Sequence, residues 1–209
     1  MQLDITLQLT AFLSYLLGAV PFGLLITRVA GMGDVRKIGS GNIGATNVLR
    51  TGRKDLAALT LLLDGGKGAV AVVIASLYYG QDQALIAGLF AVIGHNFPFW
   101  LQFKGGKGVA TTLGVLLALA WPVGIIACAV WLATAKLFKY SSLAALVALG
   151  TAPFTSYLLA GERMATVVAL LAVLGFIRHH ENIRRLLSGT ESKIGQKAKD
   201  TEQDPVETP

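Results

Sequence analysis

The sequence predicts an all-α polytopic membrane protein of about seven transmembrane helices, some of them half-length. Three observations carry that prediction. Of 209 residues, 54% are hydrophobic and only 14% are charged, where a soluble domain of this size carries about a quarter charged residues. The deficit is concentrated in unbroken apolar runs such as Ala84 to Leu101 and Val109 to Ala135, which belong in hydrocarbon rather than water. The basic residues gather in alternate connections: between Arg28 and Lys54, at Lys104 and Lys107, at Lys136 and Lys139, and from Arg178 to Lys199. The connections around Gly80-Gln81-Asp82-Gln83 and Trp121-Pro122 carry no basic residue, and Gly161-Glu162-Arg163 carries one.

The apolar runs give spans near 5–27, 55–79, 84–101, 109–120, 122–135, 142–160 and 164–178. The first has no basic segment before it and no cleavage pattern after it, so it reads as a retained span. The stretch 109–135 is long enough for one tilted span, but Ala120-Trp121-Pro122 breaks it into two half-length helices. With that break every basic loop falls on one side, and positive-inside reasoning makes that side cytoplasmic, with the N-terminus outside and the C-terminus cytoplasmic. Five spans would need another merger, and an even count would export the basic tail. Residues 1–195 thus form a single integral membrane domain, and 196–209, ending Glu-Gln-Asp-Pro-Val-Glu-Thr-Pro, read as a disordered cytoplasmic tail. The net charge of +6 is a topological signal in short loops, and nucleic acid is not an expected partner. A single cysteine, Cys128, excludes both a disulfide framework and a cysteine-based metal site.

The chemistry-bearing residues lie in the basic loops. Two Gly-Gly-Lys-Gly tetrapeptides, Gly65 to Gly68 and Gly105 to Gly108, each open onto an apolar run. Such a sequence predicts backbone N–H groups, a lysine charge and a helix N-terminus converging on an anion. Neither is a Walker A loop, because each lysine is followed by glycine rather than Ser or Thr. Thr111 and Thr112 fall in the first turn after the second tetrapeptide, where hydroxyls reinforce an anion site. The first basic loop, Gly39-Ser40-Gly41-Asn42-Ile43-Gly44-Ala45-Thr46-Asn47-Val48-Leu49-Arg50, formally matches G-x-G-x-x-G, with Asp64 twenty residues beyond its last glycine. Membrane helices on both sides exclude the strand and parallel sheet a dinucleotide site needs. What remains is a glycine nest with hydroxyl and amide donors, then a short helix presenting Arg50. Ser40, Asn42, Thr46, Asn47 and Arg50 can together surround a phosphate or an acyl carbonyl; the plainer reading is a flexible loop whose arginine binds lipid headgroups.

Asp64 and Lys67 sit three residues apart in an apolar run, so they face the protein interior, either as an internal ion pair or as ligand contacts. His95 reads as a hydrogen-bonded helix-end residue. In the last loop, His179 and Asn182 share a helical face, with Arg185 further along. His179, His180 and Glu181 point in different directions on a helix and form no metal motif, so no metal and no cofactor is expected. Glu191 and Lys193 are placed to brace the tail against the other loops.

Taken together, Ser40-Gly41-Asn42 through Arg50, Lys104-Gly105-Gly106-Lys107-Gly108, and His179 to Asn182 with Gly189-Thr190-Glu191-Ser192-Lys193-Ile194-Gly195 resemble the three cytoplasmic motifs of bacterial acyl-phosphate:glycerol-3-phosphate acyltransferases. The resemblance runs from the first helix to about Gly195, with Ile43 standing where many relatives have proline. It implies an enzyme of the bacterial inner membrane, with its active site on the cytoplasmic face. It would transfer a fatty acyl group from acyl phosphate to the sn-1 hydroxyl of glycerol 3-phosphate, giving lysophosphatidic acid and phosphate for phospholipid synthesis. It further implies catalytic roles for Ser40, Arg50, Lys104, His179 and Asn182. Phosphate or substrate binding would fall to Gly41, Asn42, Thr46, Asn47, Lys67, Gly105, Gly106, Lys107, Gly108 and Thr111, and structural support to Asp64, Glu191 and Lys193. The reaction needs no metal, and a substrate phosphate or His179 can take the hydroxyl proton. Acyl phosphate, glycerol 3-phosphate and membrane lipids are the expected partners. The basic face also offers a dock for an acyl-phosphate-producing enzyme or acyl carrier protein. The alternative is a membrane anion or phosphate transporter, for which Asp64 and Lys67 would mark the path. The His followed five residues later by Asp that marks soluble-fold acyltransferases is absent after His95, His179 and His180.

Overall fold

Large apolar side chains cover much of the outside of the molecule, and alanines crowd several helix contacts inside. Phe12, Leu62, Leu77, Leu132, Phe154 and Leu170 are all more than half exposed, a surface only lipid would cover. Inside, Ala71 and Ala75 pack with Ala87 and Ala91, small residues that let helix backbones approach closely. The computed structural model describes residues 5–196, all its regular structure there being helical. The tail read as disordered from residue 196 lies, apart from Gln196, outside the described residues.

The first span is not continuous. Helix α1 runs Ile5–Gly18 and α2 runs Phe22–Val29, because Pro21 has no N–H to donate and bars the helical conformation from the residue before it. The carbonyls freed by this break find partners elsewhere: Trp100 Nε1 donates to Ala19 O at 2.7 Å and Lys67 Nζ to Val20 O at 2.7 Å. A 3₁₀ turn at Val35–Lys37 and the short α3, Ala45–Leu49, follow, with Arg50 closing α3. Helix α4, Lys54–Tyr79, and α5, Gln81–Asn96, are joined by the single residue Gly80.

Helix α4 corrects one expectation outright. Gly65-Gly66-Lys67-Gly68 lies in the middle of α4, so its N–H groups belong to the helix and it cannot be an N-terminal anion site. Gly65 and Gly68 serve packing instead. A Cβ at Gly114 would stand 2.0 Å from the Gly65 carbonyl oxygen, so α4 meets the next apolar helix backbone to backbone. That helix, α6, spans Val109–Leu119 and begins directly after Gly108 at φ +78°.

Helix α7 covers Trp121–Phe138, with Pro122 in its first turn, where a missing N–H costs nothing. The two helices expected to be half-length are therefore unequal. At 1.5 Å per residue, the 11 residues of α6 reach about 16 Å, roughly half a bilayer core, whereas the 18 of α7 reach about 27 Å. Helices α8, Ser141–Ala160, and α9, Glu162–Arg178, complete the bundle. Helix α10, His180–Leu187, leaves α9 at a bend of 61°.

All seven expected segments are present as helices. Among the described residues, five segments are long and apolar enough to cross a membrane: Ile5–Val29, Lys54–Tyr79, Gln81–Leu101, Trp121–Phe138 and Ser141–Ala160. Glu162–Arg178 with His180–Leu187 makes a sixth if the bent pair is one span. The motif-bearing loops gather at one end. At the α4–α5 and α8–α9 turns, Arg163 meets Asp82 at 3.2 Å.

The α4–α6 contact gives a paired prediction. Gly114→Ala must push two backbones apart and should cost about 1–3 kcal/mol, lowering the thermal midpoint in detergent. A Cβ at Gly66 would have nothing within 4 Å of it, so Gly66→Ala, which replaces a mid-helix glycine, should hold or raise that midpoint.

Candidate active site

One cavity of about 490 Å³ lies where the three loops meet. Ser40, Arg50, Lys107, Asn182, Glu191 and Ser192 line its polar end, and Leu61, Ala110, Leu113, Cys128, Trp131 and Leu132 form an apolar wall. The polar end is held by a few residues whose own hydrogen-bonding capacity is fully used.

Asn47 organises the first loop. Its Nδ2 donates to the carbonyls of Val35, Ile38 and Asn42 at 2.8–2.9 Å. Its Oδ1 accepts from Ser40 N, Ser40 Oγ and Arg50 Nη1 at 3.1–3.3 Å. Asn47 is 2% exposed, so its amide holds Ser40 and Arg50 in place rather than meeting a ligand. Ile43, where many relatives carry proline, is buried with Leu24, Val35, Val48 and Ala57; it anchors the loop to the bundle, a role its sequence context did not suggest. Thr46 Oγ1 pairs with Ser141 Oγ at 2.9 Å, while Asn42 Oδ1 is buried with no partner among the described residues. Arg50 reaches across to Ser192 Oγ.

Glu191 does the same for the last loop. Its Oε1 accepts from Ser142 Oγ at 2.7 Å and Asn182 Nδ2 at 2.6 Å, and its Oε2 from Arg185 Nε at 2.7 Å. Burial works against the Glu191 charge, but the hydrogen bonds from Ser142, Arg185 and Asn182 hold its carboxyl below the usual carboxylate range. With its N–H₂ given to Glu191, Asn182 turns its Oδ1 to the Lys107 ammonium. Burial, helped by the nearby Arg185 charge and opposed by Glu191, lowers Lys107 to about 8. The segment is tied down by Ile194 N donating to Lys139 O at 2.7 Å and by Lys193 Nζ over the Tyr140 ring at 5.9 Å.

His179 stands at the bend between α9 and α10, 2% exposed, and lines the cavity. Its Nδ1 lies 2.7 Å from the Gly175 carbonyl, which can only accept. The proton is therefore assigned to Nδ1, and in the neutral ring Nε2 carries a free lone pair. His180, by contrast, is exposed and bonds Ile177 O. Among the described residues no three His, Cys, Asp or Glu side chains gather as metal ligands.

The second motif behaves differently from its sequence reading. The N–H groups of Gly105 and Gly106 donate to the carbonyls of Asn96 and His95 at 3.2 and 3.1 Å, and their own carbonyls accept from Arg178 at 3.0 and 3.1 Å. Neither glycine lines the cavity, and neither N–H is left for a phosphate. Lys104 is exposed and off the cavity, whereas Lys107 and Gly108 line it, so the loop offers one lysine to the site, not two. Gly41, Thr111 and Lys67 also lie off the cavity wall. Lys67 is 4% exposed and its three donors meet Asp64 Oδ1, Val20 O and His95 Nδ1 at 2.7–2.9 Å. It is a structural cation. Asp64 itself lines the cavity.

Sequence reasoning assigned no role to Arg178, Ser141, Ser142 or Ser192, and gave His95 none beyond a helix end. Arg178 carries the one legible signal, a cation in the last turn of a helix, directly ahead of the His179 motif.

The whole chain also compares closely with known proteins. The sequence profile described as Glycerol-3-phosphate acyltransferase matches residues 8–189. The glycerol-3-phosphate acyltransferase of Rhodospirillum rubrum is 62% identical over 203 residues, covering 93% of this chain and 94% of that protein. Its counterpart in Paramagnetospirillum magneticum is 60% identical over 185 residues, covering 88% and 92%. The crystal structure of PlsY (YgiH), an integral membrane glycerol 3-phosphate acyltransferase, in its glycerol 3-phosphate form matches with a TM-score of 0.86 at 37% identity, over 90% of this chain and 96% of that one. The lysophosphatidic acid form matches with a TM-score of 0.83 at 36% identity, over 90% and 94%. A profile running from α1 past α10, and relatives sharing some three residues in five over nearly their full length, place this chain in the glycerol-3-phosphate acyltransferase family.

Proposed function

We propose that this integral membrane protein transfers a fatty acyl group from acyl phosphate to the sn-1 hydroxyl of glycerol 3-phosphate, releasing lysophosphatidic acid and inorganic phosphate. The observation that carries this reading is a single cavity with Arg50, Lys107 and Ser40 at one end and an apolar wall at the other. That is the shape required by two phosphorylated substrates of which one bears a fatty chain. A transporter would need a polar path through the bilayer, and here the wall beyond the polar end is apolar.

In the reaction the hydroxyl oxygen of glycerol 3-phosphate attacks the acyl carbonyl carbon, and the carbon–oxygen bond to phosphate breaks. Arg50 and Lys107 hold phosphate charge, with Ser40 as a neutral donor beside them. The lone pair on His179 Nε2 accepts a hydrogen bond from the attacking hydroxyl and aligns it. The proton ends on the departing phosphate, which is adjacent by construction. Phosphate is a good leaving group, so neither an acyl-enzyme nor a metal is needed. Asn182, fixed by Glu191, keeps Lys107 directed into the cavity. By the positive-inside rule the basic loops support a cytoplasmic position for this face, in the bacterial inner membrane. They also offer a surface for an acyl-phosphate-producing enzyme or acyl carrier protein.

Purified protein in detergent, given palmitoyl phosphate and glycerol 3-phosphate, should release phosphate and form lysophosphatidic acid, and palmitoyl-CoA should not replace the acyl donor. Ser40→Ala should lower kcat on the order of 10²-fold with an unchanged melting temperature; failure of the wild type to turn over either donor would overturn the reading. Lys107 at about 8 sets the alkaline limb. Below that pH the ammonium is charged and attracts phosphate; above it the charge is lost and kcat/KM should fall about tenfold per pH unit. Lys107→Arg, which stays charged, should flatten that limb.

A further inference from the structure

Two carboxylates line the cavity, those of Asp64 and Glu191. Glu191 commits both oxygens to protein: Oε1 accepts from Ser142 and Asn182, and Oε2 from Arg185. Asp64 commits one. Its Oδ1 accepts from Lys67 Nζ at 2.8 Å and stands 3.6 Å from His95 Nδ1, while Oδ2 accepts no hydrogen bond among the described residues. Nor is Oδ2 sealed off. The fully buried side-chain atoms without a partner among the described residues are Asn42 Oδ1, both amide atoms of Asn96, Thr111 Oγ1 and Trp131 Nε1. Asp64 Oδ2 is not one of them, so open space adjoins it, and the space that Asp64 borders is the cavity.

Helix packing says what that oxygen is next to. A Cβ at Gly65 would meet the Ala110 carbonyl oxygen at 3.3 Å, so this part of α4 is level with the first turn of α6. Lys107 and Gly108, just ahead of that turn, lie on the same cavity wall. The chemistry of a carboxylate oxygen then excludes most of what the cavity must hold. It only accepts. Phosphate oxygens are anionic acceptors and are repelled from it at contact, and an acyl chain offers it nothing. Ionised acyl phosphate has no donor at all. Glycerol 3-phosphate has two hydroxyls, of which the attacking one is held by His179 Nε2 in the reaction above. The secondary hydroxyl remains.

We propose that Asp64 is a specificity-determining residue, its Oδ2 accepting a hydrogen bond from the secondary hydroxyl of glycerol 3-phosphate, with Lys67 as the positioning residue that holds Oδ1 and leaves Oδ2 to the cavity. The inference rests on the acyltransferase reading above. An alcohol phosphate without the secondary hydroxyl would leave a half-satisfied carboxylate facing it, and a site built around a hydroxyl rejects the analogue that lacks one. The contact acts on kcat/KM for glycerol 3-phosphate and leaves the KM for the acyl donor alone. It also gives the buried Asp64–Lys67 pair a function beyond holding helices.

A ratio of two substrates separates this role from a structural one. 3-Hydroxypropyl phosphate keeps the phosphate and the primary hydroxyl and lacks only the secondary one. Given palmitoyl phosphate, the wild type should use it with a kcat/KM on the order of 10²-fold below that for glycerol 3-phosphate. Asp64→Asn keeps an oxygen for Lys67 and puts an N–H₂ where Oδ2 stood, replacing a charged acceptor with a neutral donor. In that variant the ratio should shrink to about tenfold or less, through loss of activity on glycerol 3-phosphate, with the KM for palmitoyl phosphate within about twofold. Equal use of the two alcohols by the wild type overturns the proposal. So does a folded Asp64→Asn that keeps the wild-type ratio, which would leave Asp64 as an ion-pair partner alone. Should Asp64→Asn not fold, Asp64→Leu combined with Lys67→Met, which removes both charges together, decides by the same ratio: its collapse supports the contact and its retention overturns it. Absence of any product from wild-type protein with glycerol 3-phosphate would instead sink the underlying acyltransferase reading.

Discussion

The Lys67 ammonium is the contact on which the bundle depends most. It joins α4, the break between α1 and α2, and the end of α5 through three hydrogen bonds of 2.7–2.9 Å. Each partner would be costly without it. A lone Asp64 carboxylate in hydrocarbon is expensive, and the Val20 carbonyl at the break would keep only its 3.2 Å bond from Phe22 N. The kink at Pro21 is thus tolerable because Lys67 is there to receive it, and Lys67 is tolerable because Asp64 neutralises it. Backbone geometry, ion pairing and the orientation of His95 are one coupled arrangement.

The same coupling governs the cavity. Asn47, Glu191 and Arg178 each hold a loop, and each uses its hydrogen-bonding groups on protein. In the proposed reading the groups offered to a substrate include Ser40 Oγ, the Arg50 guanidinium, the Lys107 ammonium and the bare nitrogen of His179, all on the cavity wall. A constellation braced in this manner needs little reorganisation as charge develops, which is the condition under which fixed dipoles and charges accelerate a reaction most. The three loops also brace one another, since Arg50 reaches Ser192 and Lys107 reaches Asn182. Both contacts run through the last motif, which ties the other two together.

The sequence made the bundle legible because apolar runs and basic loops follow from the bilayer itself. It also marked Asp64 and Lys67 as inward-facing, since two charges at i and i+3 in an apolar run have nowhere else to go. It could not say what they touch, because Val20 and His95 lie 47 and 28 residues away from Lys67, and periodicity reports a face rather than a partner. The repeated tetrapeptide misled for a related reason. Gly-Gly-Lys-Gly is the same local string at 65–68 and at 105–108, yet one sits mid-helix against α6 and the other turns into α6. Which glycine N–H groups are free depends on what surrounds them, and at Gly105 and Gly106 the carbonyls at the end of α5 had already claimed them. Lys104 and Lys107 read alike for the same reason: spacing cannot distinguish a side chain that lines a cavity from its neighbour aimed at solvent.

The acidic groups around the cavity are each neutralised by a protein cation. Asp64 is neutralised by Lys67, and Glu191 by Arg185, so the acidic groups lining the cavity do not oppose an anion at long range. Arg50, Lys54, Lys107 and Lys193 line the cavity without a salt-bridged carboxylate, and of these Arg50 and Lys107 are half-buried or more, where a charge acts more strongly than in water. Their strengths differ usefully. Arg50 stays charged at any physiological pH, whereas Lys107 is held near 8 by its burial and by Arg185. A phosphate bound beside Lys107 favours its charged form, so binding at this end of the cavity is coupled to proton uptake as the pH approaches 8.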